Sequence, residues 1–313
     1  MPLRIALYGR GAWGSTLEAL WRHQGHQVHS WSRQEGGEPA LMLCQCDLAV
    51  VAVAMAGVEA LAGRLRPHWP QDLPLLSCSK GIDPERLITA SQIWGGQHGP
   101  VAVLSGPNLA TELAAGLPAA SVIASADAGL AEHLQVQLSC DNLRLYTNAD
   151  PVGTEVAGAL KNVMALAAGL CDGLELGANA RASLLTRGLV EIGVVLEGLG
   201  GSINTLYGLA GLGDLLATAT SPLSRNYRCG LLLASGCQPS EAIERIGATV
   251  EGLQTARAAV FLAQREGWNL PICTQVVAVT AGAVTPAAAA RLLMGRGLRA
   301  EAGGPSTPLG CSE

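Results

Sequence analysis

The hydrophobic positions of this chain fall into two textures. From residue 3 to about 146, short apolar runs rich in β-branched residues alternate with segments of helical period. Arg4–Tyr8 reads as a strand, Ala12–Gln24 as a helix and Gln27–Trp31 as a second strand. Asp47–Val53, Leu75–Ser79, Val101–Leu104, Ser121–Ala124 and Arg144–Tyr146 continue the series. Alternating strand and helix predicts a doubly wound, mainly parallel sheet, and strands apolar almost throughout predict that both its faces are covered. After Asn148 the pattern becomes Ala, Leu, Gly and Val at helical spacing. Pro151 would open a helix over Val152–Leu170. The expected fold class is α/β, a Rossmann-type sheet followed by an all-α domain. Residues 1–149 are expected to form the sheet domain and 150–297 the helical one; the Gly/Pro/Ser-rich tail 298–313 is expected to fray.

The first strand runs into Gly9-Arg10-Gly11-Ala12-Trp13-Gly14 and then a helix. This is G-x-G-x-x-G in the context it requires. Gly9 allows the tight turn, Gly11 the approach of a pyrophosphate, and Gly14 close helix–strand packing. The helix N-terminus, beginning at Ala12 and Trp13, supplies free N–H groups for the anion. At the end of the second strand, Ser32 and Arg33 stand where an NAD site commonly has an acidic residue. Arg33 would accommodate a 2′-phosphate and favour NADP; an ordinary exposed arginine is the competing reading.

Composition narrows the partners. With 14% charged residues and a net charge of −5, the chain has no basic footprint for nucleic acid. The least charged stretch, Trp268 to Ala290, is interrupted by Asn269, Pro271, Thr274, Gln275 and Pro286. It reads as buried helix rather than a membrane span. No targeting segment is evident, and the nine cysteines have no zinc-like spacing, so reduced thiols of a cytoplasmic protein are expected and no metal.

Hydride transfer to a carbonyl needs a proton donor. All six histidines (His23, His26, His29, His68, His98, His133) lie in the first half, in polar or flanking contexts that suggest surface positions. The only two lysines are better candidates. Lys80 follows an apolar strand at its carboxyl end, where open α/β sheets bind ligands. Lys161 lies in an apolar helix, where desolvation would lower its pKa. A snorkelling Lys161, or one paired with Glu155, is an equal alternative on spacing alone. Ser224-Arg225-Asn226 offers donors for a phosphate or carboxylate; a helix cap plus a surface arginine explains it equally well.

Taken in order, Gly9–Gly14, Ser79-Lys80-Gly81, the run Leu104 to Glu112, Gly158 to Asn162, Asp172 to Asn179, Thr186 to Leu189, Gly208 to Asp214, Ser224 to Asn226 and Val250-Glu251-Gly252 resemble bacterial-type NAD(P)-dependent glycerol-3-phosphate dehydrogenases. The resemblance covers residue 3 to about 297. It implies reversible reduction of dihydroxyacetone phosphate to sn-glycerol 3-phosphate for glycerophospholipid synthesis, with NADPH as cofactor and NADH as a second possibility, and a possible homodimer. Lys161 would be the general acid/base, and Lys80 would hold substrate or developing alkoxide. Asp214 would orient the lysine and the substrate hydroxyl. Gly106 and Asn108 would line the substrate site. Ser224, Arg225 and Asn226 would bind the substrate phosphate. Ala110, Lys80, Arg225 and Glu251 would also contact the cofactor.

Two departures from the family pattern stand out. The stretch Glu35 to Cys46 is short, and Leu109 replaces a phenylalanine. Two other classes compete: a β-hydroxyacid or ketopantoate reductase, and a non-catalytic dinucleotide-binding protein.

Overall fold

The computed structural model describes residues 1–95, 99–298 and 301. His98 and nearly all of the tail expected to fray lie outside them. Among the described residues, seven strands form one sheet: β1 (Arg4–Tyr8), β2 (Gln27–Trp31), β3 (Leu48–Val51), β4 (Leu75–Ser77), β5 (Val101–Ser105), β6 (Ala119–Ser125) and β7 (Leu143–Asn148). Their spatial order is β2-β1-β3-β4-β5-β6-β7, and every pair is parallel except β5 with β6. Each anticipated run is a strand, within a residue or two at its ends.

The sheet is buried because its faces are divided between two apolar layers. Side chains alternate along a strand. In β1, Ile5 and Leu7 join one layer with Leu17 and Trp21 of α1 (Ala12–His23). Ala6 and Tyr8 join the other, against α2 (Val58–Leu65) and α3 (Ala90–Trp94). The short link from β2 to β3 is a turn and one 3₁₀ helix, Pro39–Gln45. Ala40 and Leu43 cover the sheet there, and Tyr8 donates its hydroxyl to the Pro39 carbonyl at 3.1 Å.

The second half packs around α6 (Pro151–Gly173), which is buried over nearly its whole circumference. Asp150 caps it, accepting from the Gly153 N–H at 2.8 Å, and also holds Ser202 and Thr205. Around α6 lie α7 (Gly177–Gly198), α10 (Arg225–Ala234), α12 (Glu251–Glu266) and α13 (Pro271–Thr280). The crossing of α6 and α10 is a backbone-to-backbone contact. A Cβ on Gly169 would run into the Tyr227 carbonyl, and one on Gly230 into the Leu166 carbonyl. The apolar stretch at Trp268 to Ala290 is divided between α13 and the start of α14 (Pro286–Met294). Among the described residues no helix is long and apolar enough to cross a membrane.

Two sequence expectations are corrected. His26 is buried rather than superficial: its ring accepts the Leu3 N–H at 2.9 Å and sits 2.9 Å from the Gln137 carbonyl. Glu155 does not pair with Lys161. It reaches from α6 to the start of α3 and accepts the Ser91 N–H at 2.8 Å and the Ser91 hydroxyl at 2.5 Å. Burial without a cation pushes its pKa up to about 7. The native state therefore holds this proton more tightly than the unfolded chain does. Stability from this group is complete at acid pH and is lost as pH rises toward and through 7. Glu155→Gln should remove that loss. Thermal midpoints measured between pH 5 and 8.5 should show the variant gaining on the parent as pH rises, and a constant difference would refute the assignment.

Candidate active site

Four chain segments converge at the carboxyl edge of the sheet. Lys80 stands three residues past β4, and Gly106 and Asn108 just past β5. Lys161 projects from α6. Asp214 opens α9 (Asp214–Ala219), directly after a π-helical turn, Leu209–Gly213, of the kind that recurs at functional sites. Asp214 Oδ1 receives Lys161 Nζ at 2.8 Å and Oδ2 receives Lys80 Nζ at 2.8 Å. Thr218, one turn along α9, accepts a second Lys161 hydrogen at 2.6 Å and donates to Asp214 at 3.1 Å.

Donor counting separates the two lysines. An ammonium has three hydrogens. Those of Lys80 are all taken, by Asp214, the Asn108 Oδ1 at 3.1 Å and the Gly106 carbonyl at 3.3 Å. Those of Lys161 have two acceptors, which leaves one hydrogen unassigned. Beside the cluster, Asn108 Nδ2 is a buried donor with no partner. Such a group costs free energy unless something accepts from it. The site thus presents spare donors beside two ammoniums, which suits an oxygen-rich anion.

Charge points the same way, since one buried carboxylate faces two ammoniums. Burial lowers the Lys161 pKa to about 8, with Lys80 adding to the effect and Asp214 opposing it. For Asp214 burial acts upward, but the ammoniums of Lys161 and Lys80 outweigh it and hold the acid below its ordinary value. Glu251, which opens α12, is raised by burial against the pull of Arg225, Lys80 and Lys161, with the Met55 N–H beside β3 also favouring its charged form. It ties the helical half to the cofactor side.

The glycine turn fits a dinucleotide. A Cβ on Gly9 would lie 2.5 Å from the Ala52 carbonyl, and one on Gly14 would collide with the Gly9 carbonyl. Both positions exclude side chains. A Cβ on Gly11 would meet nothing within 4 Å, so the backbone there faces open space at the start of α1. That is the geometry a pyrophosphate needs. Ala12 and Trp13 begin α1, and Ala110 is brought beside it, its carbonyl accepting from Thr16 at 3.3 Å. Arg33 is exposed and makes no ion pair among the described residues.

The Ser224-Arg225-Asn226 cluster divides. Ser224 caps α10, accepting from the Tyr227 N–H at 3.2 Å. Arg225 is exposed. Asn226 is buried and engaged at both ends, donating to Asn162 Oδ1 at 2.8 Å and accepting from the Gly252 N–H at 2.9 Å. Its amide locks α6, α10 and α12 together next to Lys161. Sequence reasoning gave no role to Thr218 or Asn162. Thr218 could have been found from its place one helical turn after Asp214. Asn162 sat unremarked in the motif beside Lys161.

The chain is similar to known proteins along almost its whole length. Residues 37–131 match the family model of the NAD-dependent glycerol-3-phosphate dehydrogenase N-terminus, and residues 150–291 that of its C-terminus. A glycerol-3-phosphate dehydrogenase (NAD(P)+) of Synechococcus sp. strain RCC307 is 54% identical over 303 residues, covering 96% of this chain and 100% of the relative. One from Synechocystis sp. (strain ATCC 27184 / PCC 6803 / Kazusa) is 45% identical, covering 96% of each. The crystal structure of glycerol-3-phosphate dehydrogenase from Coxiella burnetii superposes with a TM-score of 0.88 at 33% identity, over 94% of this chain and 99% of that one. A ketopantoate reductase from Ralstonia eutropha reaches only 0.59 at 13% identity, a likeness of fold alone. With both family models matched and the identity sustained along almost the whole chain, this protein belongs to the NAD-dependent glycerol-3-phosphate dehydrogenase family.

Proposed function

We propose that the chain reduces dihydroxyacetone phosphate to sn-glycerol 3-phosphate, with Lys161 as proton donor. The unassigned hydrogen on Lys161 Nζ is the observation that carries this reading. NADPH or NADH, when bound at the glycine turn, supplies the hydride. Lys161 delivers its proton to the carbonyl oxygen, and in the reverse direction the neutral amine takes it from the hydroxyl. Asp214 and Thr218 fix the amine's position. Lys80, held by three acceptors, contributes positive charge toward the developing alkoxide. Asn108 Nδ2 supplies a further donor to substrate oxygen. Arg225, exposed at the start of α10, and the helix terminus capped by Ser224 meet the phosphate, and Gly106 lines the substrate site. Asn226 positions α10, and the second hydrogen of its Nδ2, beyond the one given to Asn162, is available to the substrate phosphate. Residues 1–149 serve as the cofactor unit and 150–297 as the catalytic one. A cytoplasmic homodimer supplying glycerophospholipid synthesis completes the reading, on the strength of the resemblance.

Purified protein should oxidise NADPH with dihydroxyacetone phosphate and not with ketopantoate or other 2-oxo acids. Preference for a 2-oxo acid would select the competing dehydrogenase class, and no turnover at all the non-catalytic one. The Lys161 pKa adds a pH signature. Reduction needs the protonated amine, so kcat should fall as pH rises through about 8. Oxidation needs the free amine, so its kcat should fall as pH drops below the same value. Rate profiles in both directions test this; parallel profiles would exclude Lys161 as the titrating group.

A further inference from the structure

Among the charged clusters the mechanism leaves unused, one lies at the outer end of β2. Past Trp31 the chain turns through Ser32, Arg33, Gln34 and Glu35, closed by the Gly36 N–H on the Ser32 carbonyl at 3.2 Å. Gly36 and Gly37 then take positive φ, 74° and 80°, and send the chain toward the 3₁₀ helix. This abrupt turn folds Glu35 back over the strand end. Its carboxylate accepts from the Ser32 hydroxyl at 2.9 Å and makes an ion pair with Arg10. Arg10 stands inside the glycine turn itself, between Gly9 and Gly11.

Glu35 therefore spans the gap between the glycine turn and the end of β2. In a dinucleotide fold the adenosine ribose crosses that gap, and its 2′ substituent lies at the end of the second strand. The donors a 2′-phosphate would take there are Arg10, Ser32 and the unpaired Arg33. Glu35 engages the first two, while Glu18 also lies 3.6 Å from Arg10 Nε. A carboxylate in that place accepts well from a 2′-hydroxyl and repels a 2′-phosphate.

We propose that Glu35 is a specificity-determining residue that holds Arg10 and Ser32 away from a 2′-phosphate, setting Arg33's preference for NADPH against its own for NADH. The turn that opens the link between β2 and β3 is what brings it there. The inference rests on the dehydrogenase reading only in requiring that the glycine turn bind a nicotinamide dinucleotide.

Binding, measured without substrate, tests it. Dissociation constants for NADPH and NADH are taken by cofactor fluorescence on the parent protein, Glu35→Gln and Glu35→Asp at one ionic strength. Glu35 sits in an exposed turn, its side chain 51% accessible, so the substitutions leave the core untouched. Glu35→Gln should tighten NADPH by about tenfold relative to NADH, the worth of one charge-assisted hydrogen bond. Glu35→Asp, which keeps the charge, should stay near the parent ratio. An NADPH-to-NADH ratio unmoved in Glu35→Gln overturns the role of Glu35 while leaving the enzyme reading intact. A parent protein that binds neither cofactor overturns both.

Discussion

Replacing Lys161 with alanine should lower kcat for reduction of dihydroxyacetone phosphate by about a thousandfold, within the range for losing a positioned general acid. The cofactor dissociation constant should change little, because the glycine turn is built from β1 and α1. The fold should survive, since Asp214 keeps its bond to Lys80 and its contact with Thr218. A loss confined to the transition state lowers kcat and kcat/KM together. Lys161→Arg sharpens the test. It retains a cation beside Asp214, but a guanidinium does not release its proton in the working range. If charge alone mattered, the arginine variant would recover most of the rate. If proton transfer matters, it should stay close to the alanine variant. Turnover by Lys161→Ala within tenfold of the parent would end the assignment.

The parts of this site legible in the sequence were those with local signatures. The glycine turn is a contiguous motif whose meaning depends only on the strand before it and the helix after it. The lysines stood out because there are two of them, each in apolar surroundings. The family resemblance then joined them to Asp214. What stayed illegible was pairing across long separations. Nothing near Glu155 indicates that its acceptor atoms belong to Ser91, or that Asn226 spends its amide on Asn162 and Gly252. These bonds depend on how α6 meets α3, α10 and α12, which no periodicity encodes. The Ser224 cluster shows the same limit. A cap, an exposed arginine and a buried clamp share three consecutive positions, and only the helix start separates their duties. Even Lys161 was undecided on spacing, because an apolar helix can hide a lysine or snorkel it; the position of Asp214 decided the matter.

Asp214→Ala should cost about 3–5 kcal/mol of stability, the usual result of stripping the counter-charge from a buried ion pair. Here one carboxylate serves two ammoniums, brought from positions 53 and 134 residues away in the chain. Without it, Lys161 keeps its desolvation and the repulsion of Lys80 but loses its main attraction, so its pKa should fall below about 8. Reduction would then fail at lower pH than in the parent. The deficit in stability should also shrink as pH rises, because the native state sheds the buried charge before the unfolded chain does. Urea unfolding at pH 7 and pH 9, with rate profiles in both directions, reads both effects. A variant as stable as its parent at pH 7 would mean that the two ammoniums do not depend on this carboxylate. The aspartate would then be only an orienting group for the substrate hydroxyl. If the deficit appears and shrinks with pH, the same carboxylate holds the two halves of the chain together and sets the proton affinity of the donor between them.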